Sequence, residues 1–319
     1  MSLEEKVAVE VDGRTLTLTN LAKVLYPADG FTKAEVLSYY QQVAPVLLPH
    51  VADRPLTLRR FPEGVEGQAF YAKHAPEYRP DWIRTARIIS TSSRARGEVV
   101  DYLVVNDLPS LIWVANLAGL ELHAPMWRLP SGDTVPDGPE REPDLLVFDL
   151  DPGLPATIVD CSRVAQTLRP LLRADGLEPL AKTSGGKGMQ LYARIDGLTA
   201  GQASDLARGY AERLERADPR HVTSRMTKAL RPGKVFIDWS QNNGKKTTVA
   251  PYSLRAREHP TVSTPITWDE VDACEDVADL CFTAEDVPAR IAEHGDLFAP
   301  LVSRASSGTG RRRPGSSHR

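Results

Sequence analysis

The chain has 319 residues, 41% of them hydrophobic, with 39 Lys and Arg against 42 Asp and Glu for a net charge of −3; that apolar content suffices for a sizeable core, in one large α/β domain or two small ones. Its three cysteines, Cys161, Cys274 and Cys281, form no C-x-x-C pair and leave one unmatched, which argues against a disulfide framework or a zinc site and for a reducing cytoplasm. No basic segment followed by an apolar run opens the chain and no stretch approaches the ~18 apolar residues of a membrane span, so neither export nor membrane insertion is expected.

Residues 7–11 and 15–18 alternate around Asp12-Gly13 and predict a β-hairpin. Lys23 in TNLAKVLYP and Lys33 in FTKAE follow; as exposed lysines they carry no signal of their own. Thr32 and Glu35 form a capping box that opens a helix running towards Leu48. Arg59 and Arg60 lie in TLRRFPEG, and Phe70 and Tyr71 in QAFYAK, where composition alone places the two aromatics in a core. A helix over residues 110–117 ends at Gly119, and residues 120–123 make a short strand carrying His123, by itself an ordinary core histidine. Residues 129–144, rich in Pro, Gly and acids, read as a surface connection.

Residues 145–153, LLVFDLDPG, drive an apolar run into Asp149 and Asp151 and stop at Pro-Gly. In a strand, side chains at i and i+2 leave the same face, so the two carboxylates converge. Clustered anions repel unless a cation sits between them, because an unpaired buried carboxylate takes up a proton instead. The other reading has Asp151 opening the turn and Asp149 capping a following helix. Residues 235–239, VFIDW, form a second strand with the solitary acid Asp238. Three aspartates from two strands are a hard-oxygen set suited to Mg²⁺ or Mn²⁺ and not to zinc.

Helical periodicity over residues 157–174 and 203–217 flanks the segment TSGGKG, residues 183–188, and suggests helices covering a sheet. The segment's glycines let backbone N–H groups converge, while Ser184 and Lys187 add a donor and a positive charge for phosphate oxygens. It is not a Walker A loop, since that pattern is absent and a strand follows; a glycine-rich hairpin turn with an exposed lysine is the alternative. Charge is segregated further on. Nine basic residues face one acid between positions 220 and 257, and ten acids face Arg290 alone between 264 and 298. The first band suits a polyanionic substrate and the second a solvated helical face. Residues 304–319 carry Ser, Gly, Pro and Arg with almost no apolar content and read as a disordered basic tail.

The order of DLDP, TSGGKGMQLY, KVFIDWSQN and KKTTVAPYSLR resembles the polymerase domain of bacterial non-homologous end-joining ligase D, within the archaeo-eukaryotic primase superfamily, over about residues 16–301. The resemblance implies an α/β (α+β) primase-type fold, mixed and antiparallel sheets flanked by helices with an RRM-like catalytic half. It also implies one primase-polymerase domain over 1–303, with a DNA-contacting part near 1–128 and a catalytic part near 143–303. Asp149, Asp151 and Asp238 then bind two divalent ions, Mn²⁺ or Mg²⁺. His123, Ser184, Lys187, Gln190, Lys228, Gln241 and Arg255 line the nucleotide pocket, with Gln190 standing where the family usually has a histidine that touches the triphosphate. Lys23 and Lys33 match positions that bind a downstream 5′-phosphate, Arg59 and Arg60 fall near the primer terminus, and Phe70 and Tyr71 match an aromatic pair that stacks on template bases. The K-G-M-Q pattern is most similar to stand-alone actinobacterial relatives associated with ligase C.

The implied activity is templated extension and short-gap filling of broken, 5′-phosphorylated DNA from NTP or dNTP, ribonucleotides often preferred. No K-x-D-G ligase motif appears, so a separate ATP-dependent DNA ligase is expected, and the resemblance adds Ku as a partner. A non-catalytic 5′-phosphate-binding module and a de novo primase are the rival readings.

Overall fold

The computed structural model describes residues 6–90, 97–130, 134–136 and 141–302. Strands β1 (Lys6–Val11) and β2 (Arg14–Thr19) form the expected hairpin, whose two-residue turn holds Asp12 at φ 45° and Gly13 at φ 73°, a left-handed pair that Asp-Gly adopts cheaply. A second hairpin joins β3 (Val24–Tyr26) to β4 (Phe31–Thr32). Thr32 then caps helix α1 (Lys33–Val51): its hydroxyl accepts from the Glu35 amide, and the Glu35 carboxylate accepts the Thr32 N–H at 2.6 Å. The next elements are β5 (Thr57–Arg60), β6 (Phe70–Ala72), β7 (Thr85–Ile89), β8 (Val99–Leu103), α2 (Leu108–Asn116) and β9 (Gly119–Ala124). The end of α2 departs from expectation. Ala118, not Gly119, takes the left-handed backbone, and Gly119 opens β9 where a Cβ would lie 2.9 Å from the Val114 carbonyl oxygen. The connection at 129–144 also holds a strand, β10 (Thr134–Pro136), parallel to β7.

The remaining elements are β11 (Leu145–Pro152), α3 (Ile158–Ala174), β12 (Leu180–Thr183), β13 (Met189–Arg194), α4 (Ala200–Ala217), β14 (Val222–Thr223), β15 (Val235–Asp238), β16 (Thr248–Val249), β17 (Pro265–Ile266), α5 (Trp268–Ala273), α6 (Asp286–His294) and α7 (Ala299–Val302). A six-stranded sheet has the order β14-β15-β11-β13-β12-β17, antiparallel except for β14 beside β15. Capping boxes at Thr157 and Thr199 start α3 and α4. Apolar side chains of both helices cover Leu146, Phe148 and Leu150 on one face of β11. Each such burial is worth roughly 1.5–3 kcal/mol, and a one-residue slip would turn Asp149 and Asp151 into that core instead. The register of β11 is therefore set by its apolar residues, and the aspartates are left on the opposite face.

A second core lies around α1, α2 and a four-stranded sheet of order β16-β9-β5-β6. The segment after β16 crosses back into it through Tyr252, Leu254 and Val262. Three tyrosine hydroxyls fasten the packing: Tyr39 donates to the Tyr252 carbonyl at 2.8 Å, Tyr26 to that of Arg255 at 3.0 Å and Tyr40 to that of Leu120 at 2.6 Å. This crossing brings Arg255 from the second core to the glycine-rich turn of the first. The acidic stretch is not wholly a solvated face. Glu270 pairs with both terminal nitrogens of Arg290, and Asp296 sits between His50 at 2.9 Å and the Tyr252 hydroxyl at 2.8 Å. The expected tail at 304–319 lies outside the described residues. No helix among the described residues is long and apolar enough to cross a membrane.

Candidate active site

Strand β11 presents Asp149 and Asp151 from the face opposite α3 and α4, and the antiparallel register sets Asp238 of β15 directly opposite Asp149. The row continues across the sheet: Gln190 of β13 is opposite Asp149, and Lys182 of β12 is opposite Gln190. Directly opposed side chains share a face, so a lysine, a glutamine and two aspartates line up over four strands with Asp151 alongside. Burial, then the charge of Asp151 and, less strongly, that of Asp238 push the Asp149 carboxyl up to about 7, against a hydrogen bond from Gln190. Burial also lifts Asp151, with Lys187 pulling it back down and Asp238 pushing the same way as burial. Carboxylates that resist ionisation because they are buried, and further because they crowd one another, are a donor set that a divalent cation would relieve.

Asp149 and Asp238 each accept hydrogen bonds from neighbouring side chains in the conformation seen. Among the described residues no three His, Cys, Asp or Glu side chains are gathered closely enough to hold a metal ion as they stand. Asp238 caps the short 3-10 turn that follows it: Oδ1 accepts from the Ser240 amide at 3.1 Å and hydroxyl at 2.5 Å, and Oδ2 accepts from Gln241 Nε2 at 2.8 Å, with Lys246 Nζ 4.0 Å away. Asp149 Oδ1 accepts from Gln190 Nε2 at 3.0 Å. Gln190 Oε1 accepts in turn from the Tyr192 hydroxyl, which is also 2.7 Å from Thr248 Oγ1. Gln190 thus bonds to an acid of the cluster. Lys182 is fully buried, 2.5 Å from Ser263 Oγ, and burial and then Arg255 hold its ammonium well below the usual lysine range.

The glycine-rich turn joins β12 to β13. Ser184 Oγ accepts from the amides of Gly186 and Gly188, each at 3.2 Å, so the hydroxyl fills the concavity that those N–H groups make. Lys187 reaches back to the Pro152 carbonyl at 3.1 Å, on the strand that carries the acids. At Gly188 a Cβ would lie 2.3 Å from the Leu150 carbonyl oxygen, and at Gly185, where φ is 64°, it would meet Arg255 and Val262 at 2.6 and 2.7 Å. Both glycines let the turn press against its neighbours. Arg255 Nη1 donates to the Ser184 carbonyl, and the exposed Arg257 lies against Gly186.

The four-stranded sheet brings a second cluster to Arg255. Glu121 and His123 project from one face of β9, and Arg59 of β5 is directly opposite Glu121. Glu121 is fully buried and accepts from Arg59 Nη1 at 3.0 Å, His123 Nε2 at 2.8 Å and the Ala256 amide at 3.0 Å, with Arg255 Nε at 3.4 Å. Burial alone would raise its carboxyl, but the His123 hydrogen bond and then the Arg255 charge draw it down to about 2. His123 is therefore no isolated core histidine. Tyr71, opposite Arg59, and Phe70, opposite Arg60, are 67% and 48% exposed, so the composition-based core assignment does not hold.

Lys33 is buried, its ammonium on the Thr19 carbonyl at 2.6 Å, which corrects the exposed-lysine reading. Its amide bonds to the Lys23 carbonyl at 2.8 Å, and Lys23 pairs with Glu63 at 3.0 Å. Arg60 donates to the Leu117 carbonyl at 3.0 Å, and Lys228 is exposed on the 3-10 turn Lys228–Leu230.

The family profile described as LigD, primase-polymerase domain, matches residues 32–298. The chain belongs to the LigD primase-polymerase domain family. This is a family of nucleotidyltransferases. It is 46% identical over 285 residues to the multifunctional non-homologous end joining protein LigD of Mycolicibacterium smegmatis, covering 89% of this chain and 36% of that protein. The bifunctional LigD of Bacillus subtilis is 29% identical over 285 residues, 89% of this chain and 43% of that protein. The chain therefore spans well under half of these relatives' length. A solved structure, the polymerase domain of Mycobacterium tuberculosis ligase D in complex with DNA, is similar with a TM-score of 0.81 at 42% identity, covering 90% of this chain and 98% of that one. The mixed α/β fold is that of the LigD polymerase domain.

In this LigD-type domain Glu121, Lys182 and Asn242 carried no sequence expectation, and Arg257 and Lys246 entered only as members of the basic band. Glu121 had one readable signal, its place two residues before His123 on an alternating strand. Lys182, Arg257 and Asn242 depend on Ser263, Gly186 and Val147, far along the chain, whereas Lys246 meets Ser240 and Asp238 a few residues back across a turn. A concavity of about 670 Å³, lined among others by Arg208, Arg225, Met226 and Trp239, adjoins α4 and not the aspartates.

Proposed function

We propose that this domain is a template-directed polymerase that extends primers and fills short gaps in DNA break repair, with Asp149, Asp151 and Asp238 as its catalytic acids. One observation carries the reading: Asp149 and Asp238 face each other across β11 and β15, with Asp151 beside them and Lys187 next to Asp151. The three carboxylates would hold two divalent ions, Mn²⁺ or Mg²⁺. Bound there, the ions supply positive charge to a primer 3′-hydroxyl and to the leaving pyrophosphate.

The chain's own residues do the rest. Lys187, Ser184 and Arg255 gather at the glycine-rich turn and bind the triphosphate, Lys228 adds charge at the pocket mouth, and His123 orients the sugar. Gln190 and Gln241, which bond to Asp149 and Asp238, keep those carboxylates aimed at the site. Phe70 and Tyr71, exposed beside Arg60 and Arg59, stack on template bases, and Lys23 and Lys33, joined by the Lys33 amide on the Lys23 carbonyl, receive a downstream 5′-phosphate once the Lys33 ammonium leaves Thr19. The substrate is gapped or broken DNA with NTP or dNTP, ribonucleotides preferred. The domain works in the cytoplasm at the nucleoid, with Ku and a separate ATP-dependent DNA ligase as partners.

Primer extension on a gapped, 5′-phosphorylated duplex, with ribo- or deoxyribonucleotides and either Mg²⁺ or Mn²⁺, tests the proposal. Extension that is faster with ribonucleotides and abolished in an Asp149→Ala, Asp151→Ala double variant is expected. A double variant that still supports end joining would make the domain a recruiting module, and product without a primer would make it a primase.

A further inference from the structure

We infer that Glu121 is a positioning residue that couples DNA binding to nucleotide binding, because its single buried carboxylate fixes Arg59 on the DNA side together with His123 and Arg255 on the nucleotide side. The inference rests on the functional reading above. Tyr71, Arg59 and Glu121 sit directly opposite one another across β6, β5 and β9. The Arg59 guanidinium lies 5.6 Å over the Tyr71 ring and 4.9 Å over that of Phe61. Arg59 is thus held between an exposed aromatic and a buried acid.

Arg59 and Arg255 converge on the same oxygen of Glu121, Oε1, at 3.0 and 3.4 Å, while His123 takes Oε2. The Arg59 Nε is buried without a hydrogen-bond partner, and Arg255 meets Oε1 only through an Nε that makes an ionic contact and no hydrogen bond, so neither guanidinium is fully satisfied by the one oxygen. A ligand phosphate that engages either guanidinium loosens its hold on Oε1 and leaves the carboxylate to the other. The second ligand then meets a better-ordered arginine, which makes the two bindings mutually favourable. Glutamine at this position keeps the shape but cannot hold two guanidiniums by charge.

The test is fluorescence anisotropy of a labelled gapped, 5′-phosphorylated duplex, with and without a templated nucleotide whose α–β bridge resists cleavage, in wild type, Glu121→Gln and Arg59→Gln. In wild type, saturating nucleotide tightens DNA binding on the order of tenfold. In both variants that factor falls to about one, and Arg59→Gln, which leaves Oε1 to Arg255 alone, tightens nucleotide binding several-fold in the absence of DNA. Arg59 is partly exposed, so its variant decides the matter if Glu121→Gln fails to fold by circular dichroism. A coupling factor unchanged in Arg59→Gln, or none in a wild type that binds both ligands, overturns the inference alone. Wild-type protein that binds neither ligand overturns the functional reading as well.

Discussion

Replacing Asn242 with alanine removes the group that completes β11 next to the acids. Asn242 is 1% exposed; its Oδ1 accepts the Val147 amide at 2.8 Å, and its Nδ2 donates to the Val147 carbonyl at 2.8 Å and the Trp239 carbonyl at 2.9 Å. Strand β15 pairs with β11 only from Asp149 onward, so at Val147 the Asn242 amide stands in for a missing strand neighbour. Asn242→Ala leaves the buried N–H and C=O of Val147 unpaired, at about 1–3 kcal/mol each, and removes a bond to the part-buried Trp239 carbonyl. Water entering the vacated space recovers part of this, which puts the expected loss near 3–5 kcal/mol. Urea unfolding followed by circular dichroism should show the midpoint falling with an unchanged m value. Asn243→Ala, its exposed neighbour, should cost under about 1 kcal/mol. A loss below about 1 kcal/mol for Asn242→Ala would refute the reasoning.

Two further outcomes follow from the site. Asp149 has its folded-state carboxyl raised from 3.8 to about 7, so the folded protein holds its proton more tightly than the unfolded chain. Stability from this group is complete below about pH 4 and is lost as pH climbs through 7. Thermal unfolding of metal-free protein should therefore show Tm declining between those limits, and added Mn²⁺ should raise Tm more at pH 8 than at pH 5; equal effects would contradict the crowded-acid account. Phe70→Ala and Tyr71→Ala should leave Tm unchanged, because both rings are exposed, yet weaken template binding by about 1–3 kcal/mol per base stack, read by anisotropy; a Tm drop with intact binding would make them structural.

Local chemistry was readable where the interacting residues are near in sequence. The Thr32 and Glu35 box, the Asp12-Gly13 turn and the apolar run into Asp149 each announce their structure within a few residues. What was hidden depends on strand register and crossings. The Lys182–Gln190–Asp149–Asp238 row exists only once four strands from distant parts of the chain are aligned. Glu121 acquires meaning only when Arg255, 134 residues on (255 − 121), is brought back to it. Lys33 looked exposed because nothing local shows that Thr19 will cover its ammonium. Gly119 was read as a helix stop, but its missing side chain serves a close approach to Val114.

The most direct test of the central claim, that Asp149, Asp151 and Asp238 act as one cation-holding cluster, is calorimetric titration of Mn²⁺ into wild type and Asp238→Asn. The account predicts wild-type binding at this site and a loss on the order of tenfold or more in the variant, since removing a ligand costs at least as much as disturbing its supports. Mn²⁺ affinity unchanged in Asp238→Asn would contradict it.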